Sequence, residues 1–208
     1  MCNETGNART YSALILAGGQ ASRMGGVDKG WVRLCQTPLV RCSLAALSRQ
    51  AEPPRQILIS ANRHLDDYAA LGVPVLPDVL SGSLGPLAGL HAAQLSPLLS
   101  TGEPLLVISV DTVRLPDNFA SRLLDALAAG HDAVSASDSE RWHPTLMMVR
   151  TGLAASLADY LLGGGRSIRG WLGGLRHATV AFGQPFPNLN TLDDVASLAA
   201  GQGGVAPD

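Results

Sequence analysis

"LILAGGQASRMGGVDKG", residues 14–30, decides how the rest of the chain is read. Four apolar residues run into Gly18 and Gly19, Gly25 and Gly26 follow, and Arg23 and Lys29 stand beside them. An apolar run that stops at glycines is the end of a buried strand meeting a tight loop. Without Cβ atoms the loop can turn sharply and point backbone N–H groups at an anion. In open α/β sheets that place, at the carboxyl end of a strand, is where ligands bind. Lys29 neither follows a glycine directly nor precedes Ser or Thr, so the stretch is not a Walker A loop, and it is not GxGxxG. On residues alone two readings stand: a polyphosphate cradle served by the fork of Arg23 and the point charge of Lys29, or a glycine-rich turn with two solvated cations.

Working outward, "QILISAN", "VPVLP", "PLLVISVD", "DAVSAS" and "PTLMMVR" repeat the strand pattern, with helical periods or turns between them. The alternation predicts an α/β fold with a largely parallel sheet. "LLVISV" lacks polar alternation beyond one serine, as a central strand covered on both faces should. Helices are predicted over residues 39–49, 86–99 and 118–129, the last ended by Gly130, and a closing helix begins at Thr191 with Asp194 in a capping pattern. After Arg150 the glycine-rich "LLGGGRSIRGWLGGL" loosens the pattern.

The 208 residues fit a single domain spanning 1–208, with flexibility expected at 1–10 and 201–208. A hydrophobic share of 46% against 15% charged residues excludes a disordered chain. The net charge of −2, without long like-sign runs, offers no face for a nucleic-acid backbone. No apolar stretch reaches the roughly 20 residues of a membrane span, and "MCNETGNART" lacks the pattern of a signal peptide, so the cytoplasm is expected. Cys2, Cys35 and Cys42 show no CxxC spacing and read as reduced thiols. No exposed apolar stripe declares an interface, which leaves a monomer as the expectation.

Several single residues could carry chemistry. Asp111 ends "LLVISVD", where a carboxylate holds Mg²⁺ against substrate phosphates or caps a turn. Asp78 and "GPLAG" at 85–89 mark either a second site or an ordinary helix entry. In "SANRH", Ser60 and Asn62 could hydrogen-bond a ribose or base, or simply form a turn. His143 in "RWHPTLMMV" lines a pocket or is a satisfied structural histidine. The dispersed histidines give no HxxxH or HExxH, and no GxSxG is present, so neither a histidine metal cluster nor acyl-transfer hydrolysis is supported.

"LAGGQASRMGGVDKG" resembles the signature of the molybdenum cofactor guanylyltransferases, members of the nucleotide-diphospho-sugar transferase superfamily. "ANRH", Asp78, "GPLAG", "DT" at 111–112, "HPT" at 143–145 and "NLNT" at 188–191 keep the family's order, so the likeness runs from Ser12 to Ala200. It implies a three-layer Rossmann-like fold of the superfamily's type and transfer of GMP from GTP to the molybdenum–molybdopterin cofactor, releasing pyrophosphate. It further implies GTP-binding residues Leu16, Ala17, Gly18, Gly19, Lys29, Ser60, Asn62, Asp78 and Asp111, with Lys29 on the phosphates, Asp78 on guanosine and Asp111 also on Mg²⁺. Arg23, Lys29 and Asp111 would be catalytic, Arg23 steadying the leaving pyrophosphate. The pterin is expected near His143, Arg166, Arg169 and Asn190, although the two arginines read equally as solvated loop charges. Proteins that donate molybdopterin or accept the product are further possible partners. Ser60 stands where the family usually has asparagine, and Val113 where it usually has proline. A cytidylyltransferase for the same cofactor, a sugar-phosphate nucleotidyltransferase and a non-catalytic GTP or pterin carrier are the competing readings.

Overall fold

The computed structural model describes residues 10–18, 20–21, 27–82, 84–187, 189 and 191–202. Gly19, Arg23, Gly25, Gly26 and Asn190, named above, lie outside the described residues, as do both chain ends.

Seven strands form one sheet: β1 (Ser12–Leu16), β2 (Gln56–Ser60), β3 (Val75–Leu76), β4 (Pro104–Ser109), β5 (Ala133–Ser137), β6 (Trp142–Arg150) and β7 (His177–Ala181). Their order across the sheet is β7-β5-β6-β4-β1-β2-β3. All neighbours are parallel except β6, which runs antiparallel to both β4 and β5. The reversal has a plain cause. Only residues 138–141 join β5 to β6, enough for a hairpin but too few for the crossover that a parallel pair needs.

Both faces of the sheet are covered. Side chains alternate along β1, so Ala13 and Ile15 pack with α1 (Leu39–Ser48) and α4 (Phe119–Ala128), while Leu14 and Leu16 pack with α3 (Pro86–Gln94), α5 (Ala154–Leu162) and α6 (Ile168–Leu172). β4 repeats the division, with Leu106 and Ile108 in the first cluster and Leu105 and Val107 in the second. Helix α4 buries Phe119, Ala120, Leu123, Leu124 and Leu127, the stripe that its sequence predicts, and Gly130 at φ 100° lets the chain leave it. Helix α3 is buried on every side from Leu87 to Gln94 and stops there, short of residue 99. Helices α2 (Leu65–Ala69), α5 and α6 and the strand β7 have no counterpart in the sequence reading; a closing helix, α7 (Leu192–Gln202), does.

The register sets up the site. Leu16 lies opposite Ser60 on one side and Ser109 on the other, and Ser60 opposite Leu76. The segments after β1, β2, β3 and β4 therefore emerge at one edge. The chain moves outward from β1 to β2 and β3, then crosses back to β4 on the other flank of β1, and this reversal opens a crevice between β1 and β4.

Candidate active site

Asp111, two residues beyond β4, is only 7% exposed. Its Oδ2 lies 2.6 Å from the Nζ of Lys29, so the aspartate ending the central strand and the lysine ending the glycine stretch meet over the crevice. Lys29 opens a 3₁₀ turn, Lys29–Trp31, whose first N–H groups need an acceptor. Asp28 provides it: its Oδ1 accepts from the Gly30 N–H at 3.0 Å. Behind the turn, the Tyr68 hydroxyl of α2 donates to the same Oδ1 at 2.6 Å.

A second polar pair forms beside it. Asn62 Nδ2 donates to Asp78 Oδ2 at 2.8 Å, and the Asp78 backbone N–H donates back to Asn62 Oδ1 at 2.9 Å. A Cβ placed on Gly18 would lie 3.5 Å from Asn62 Nδ2, so the backbone after β1 faces this pair across van der Waals contact. Leu16 and Ala17 are tied into the edge by backbone bonds, Ala17 N to Ser60 O at 2.9 Å and Val110 N to Leu16 O at 3.1 Å.

Ser60 is placed differently from Asn62. Its side chain is 3% exposed and packs under Gly89 of α3, where an added Cβ would lie 2.1 Å from Ser60 Oγ. This close approach explains the last glycine of "GPLAG". Gly85 has its own reason, standing at φ 69° before Pro86 takes the first helical position.

The other half of the edge holds His143, one of the residues named for the pterin. His143 Nε2 is 2.6 Å from Asp138 Oδ2, with side chains 7% and 1% exposed. Asp138 also accepts from the backbone N–H groups of Phe186, Arg141 and Glu140 at 2.9, 2.9 and 2.8 Å. Burial pushes its pKa up, but these donors together outweigh it and hold the carboxyl well below the usual range. The Phe186 ring meets the His143 ring edge-on at 5.3 Å, and Phe182 and Phe119 complete the cluster. His143 is thus a buried strut between the β5–β6 turn and the segment after β7. Pro144 follows it where the β5–β6 register shifts, a place that tolerates the missing donor.

Exposed Arg166 turns back on α5, its Nη1 donating to the carbonyls of Leu161 at 2.8 Å and Gly165 at 2.6 Å. Arg169 lies over the Trp142 ring, 4.8 Å from its centroid. Arg166 is therefore engaged with a helix end and Arg169 with an aromatic face at the entrance to β6. Among the described residues no group of three or more His, Cys, Asp or Glu side chains could hold a metal ion by itself. Asp111 fits a metal of the other kind, one held by a single carboxylate and completed by substrate phosphates and water.

Sequence reasoning missed Asp28, Tyr68 and Asp138. The signal for Asp28 was its place directly before Lys29, whereas nothing near Tyr68 in sequence announces its partner.

The sequence matches the family described as the MobA-like NTP transferase domain over residues 13–180. The chain is 37% identical to a molybdenum cofactor guanylyltransferase of Shewanella putrefaciens, over 91% of this chain and 96% of that protein. Its fold is similar to the crystal structure of molybdopterin-guanine dinucleotide biosynthesis protein A from Archaeoglobus fulgidus, with a TM-score of 0.72, 20% identity, and coverage of 93% of this chain and 100% of that one. It is also similar to 4-diphosphocytidyl-2C-methyl-D-erythritol synthase from Anaerococcus prevotii, with a TM-score of 0.71 at 14% identity, covering 95% of this chain and 100% of that one. At such identities the two structures speak for the fold alone.

Proposed function

The chain belongs to the MobA-like NTP transferase family, and on that premise we propose that it transfers GMP from GTP to the molybdenum–molybdopterin cofactor, yielding the guanine dinucleotide cofactor and pyrophosphate. The observation that carries this reading is the Lys29–Asp111 pair at 2.6 Å over the crevice between β1 and β4.

The terminal phosphate of the pterin attacks the α-phosphorus of GTP in line as the bond to pyrophosphate breaks. No protein nucleophile is needed, because positioning and charge neutralisation account for most of the catalysis in phosphoryl chemistry. Lys29 leaves Asp111 to follow the α-phosphate as charge builds there. Asp111 would hold Mg²⁺, which would supply charge neutralisation at the phosphates. The backbone of Leu16, Ala17 and Gly18 lies along the nucleotide. Asn62 and Asp78 face its guanosine end, and with Ser60 enclosed under Gly89 the contact at that strand end passes to Asn62. Gly19 and Arg23, which the family likeness assigns to the nucleotide and to the leaving pyrophosphate, lie outside the described residues.

Among the described residues no helix is long and apolar enough to cross a membrane, and we place the enzyme in the cytoplasm, where its substrates would meet it. Proteins that hand over molybdopterin or receive the product would approach the same edge.

The test is isolation of the product after incubation with GTP, Mg²⁺ and molybdenum-loaded molybdopterin. A guanine dinucleotide formed only when the pterin is present supports the reading. Bound GTP without any product would make the protein a carrier, and transfer to a sugar phosphate instead would move it to another branch of the superfamily.

A further inference from the structure

We propose that Tyr68 and Asp28 are positioning residues that hold Lys29 over the α-phosphate, a role that rests on the guanylyl-transfer reading above. A lysine aimed by a flexible stem needs its backbone fixed. Here the backbone is a single 3₁₀ turn, too short to be stable alone. Asp28 Oδ1 is the point at which it is held, receiving the Gly30 N–H from within the turn and the Tyr68 hydroxyl from α2. Tyr68 is fully buried, so its hydroxyl cannot exchange Asp28 for water at no cost.

Packing reinforces the same contact. An added Cβ at Gly30 would lie 2.1 Å from the Tyr68 oxygen, so "DKG" needs its glycine because the phenol stands there. The Trp31 ring leans on the Tyr68 ring at 5.1 Å between centroids. Asp28, Gly30 and Trp31, the three residues around Lys29, thus meet one side chain, while Lys29 itself reaches Asp111. Burial first, then the bond and charge of Asp28, push the phenol pKa well above its ordinary value, so it remains a donor. Two donors on Asp28 also quiet a carboxylate that would otherwise repel a triphosphate one residue away.

The experiment is a double-mutant cycle read on kcat, joined to amide exchange in the ligand-free protein. Tyr68→Phe keeps the ring and its packing but removes the hydroxyl. It should lower kcat about ten- to hundredfold, the scale of a catalytic group set slightly out of place. In a Lys29→Ala background the same change should cost nothing further, because it acts through the lysine. Exchange of the Gly30 amide should rise about tenfold in Tyr68→Phe as the turn loosens. Asp28→Asn, which keeps an acceptor oxygen, should retain more kcat than Asp28→Ala. Losses that add in the double mutant, or a Gly30 amide that exchanges at the wild-type rate, would overturn the proposal. If the wild type transfers no GMP at all, the functional reading fails and the exchange rate alone decides the positioning.

Discussion

The two halves of one sheet edge are built to opposite ends. After β1 to β4, the polar groups stand in small pairs: Lys29 with Asp111, their side chains 14% and 10% exposed, and Asn62 with Asp78. After β5 and β7, Asp138 is locked by three backbone N–H groups and His143 and closed over by phenylalanines. Lys29 and Asp111 meet through one side-chain hydrogen bond, so an arriving triphosphate can replace that contact with new partners for both charges. Breaking a buried pair by removing one member costs roughly 3–5 kcal/mol, so Asp138 and His143 stay as they are. One half is made to exchange ligands and the other to hold a shape, although both place carboxylates at strand ends.

Five substitutions test this division. Asp111→Ala and Lys29→Ala should each lower turnover by roughly 10²–10³-fold, the scale for removing one preorganised charge-stabilising group, while the melting temperature moves little. A melting temperature that collapses along with turnover would put the pair in the structural half. Asp138→Ala should do the reverse, lowering stability by about 3 kcal/mol in urea titrations at pH 7. Its pH dependence has a definite sign. The folded-state pKa lies below the unfolded value of about 3.9, so the contribution is complete above that pH, fades below it as the unfolded carboxyl takes up protons, and is lost once the native carboxyl is protonated too. The gap between Asp138→Ala and wild type should therefore shrink from pH 7 to pH 3, and a constant gap would mean that packing rather than charge is lost.

Smaller effects mark the boundary between the halves. Asn62→Ala should weaken GTP binding about fivefold in a calorimetric titration, since it strips one acceptor from the Asp78 N–H and one donor from its carboxylate. Unchanged affinity would remove this pair from the nucleotide site. Arg166→Ala should leave turnover within about twofold and cost roughly 0.5 kcal/mol, as an exposed side chain resting on helix carbonyls. A tenfold loss of turnover there would return Arg166 to the pterin pocket and make the second half a binding surface after all.

The same division explains what could be read from the sequence. β1 and β4 were legible because each is an apolar run buried on both faces; Asp111 was legible because it stands just past such a run, Asn62 and Asp78 because they follow other strand-like runs, and Lys29 because it closes the glycine-rich loop after β1. β7 was not, since "HATVA" is an edge strand only partly buried and carries no long apolar signal. The turns after Arg150 hid α5 and α6 in glycines. His143 stood out by residue type, but its partner Asp138 lies in the polar "SDSE", which reads as an ordinary turn. Asp28 and Tyr68 are 40 residues apart, so their bond exists only once α2 has folded against the turn. Ser60 read as a ribose or base contact or a turn residue, and its burial was hidden because it depends on a glycine in a later helix.

The most direct measurement is pyrophosphate release with molybdenum-loaded molybdopterin and Mg²⁺, with GTP, CTP, ATP and UTP assayed in parallel. The account predicts release with GTP alone, and none from GTP in Lys29→Ala or Asp111→Ala above the residual level expected of those variants. Release with CTP but not GTP would contradict the guanylyl assignment while leaving the fold and the paired lysine and aspartate in place.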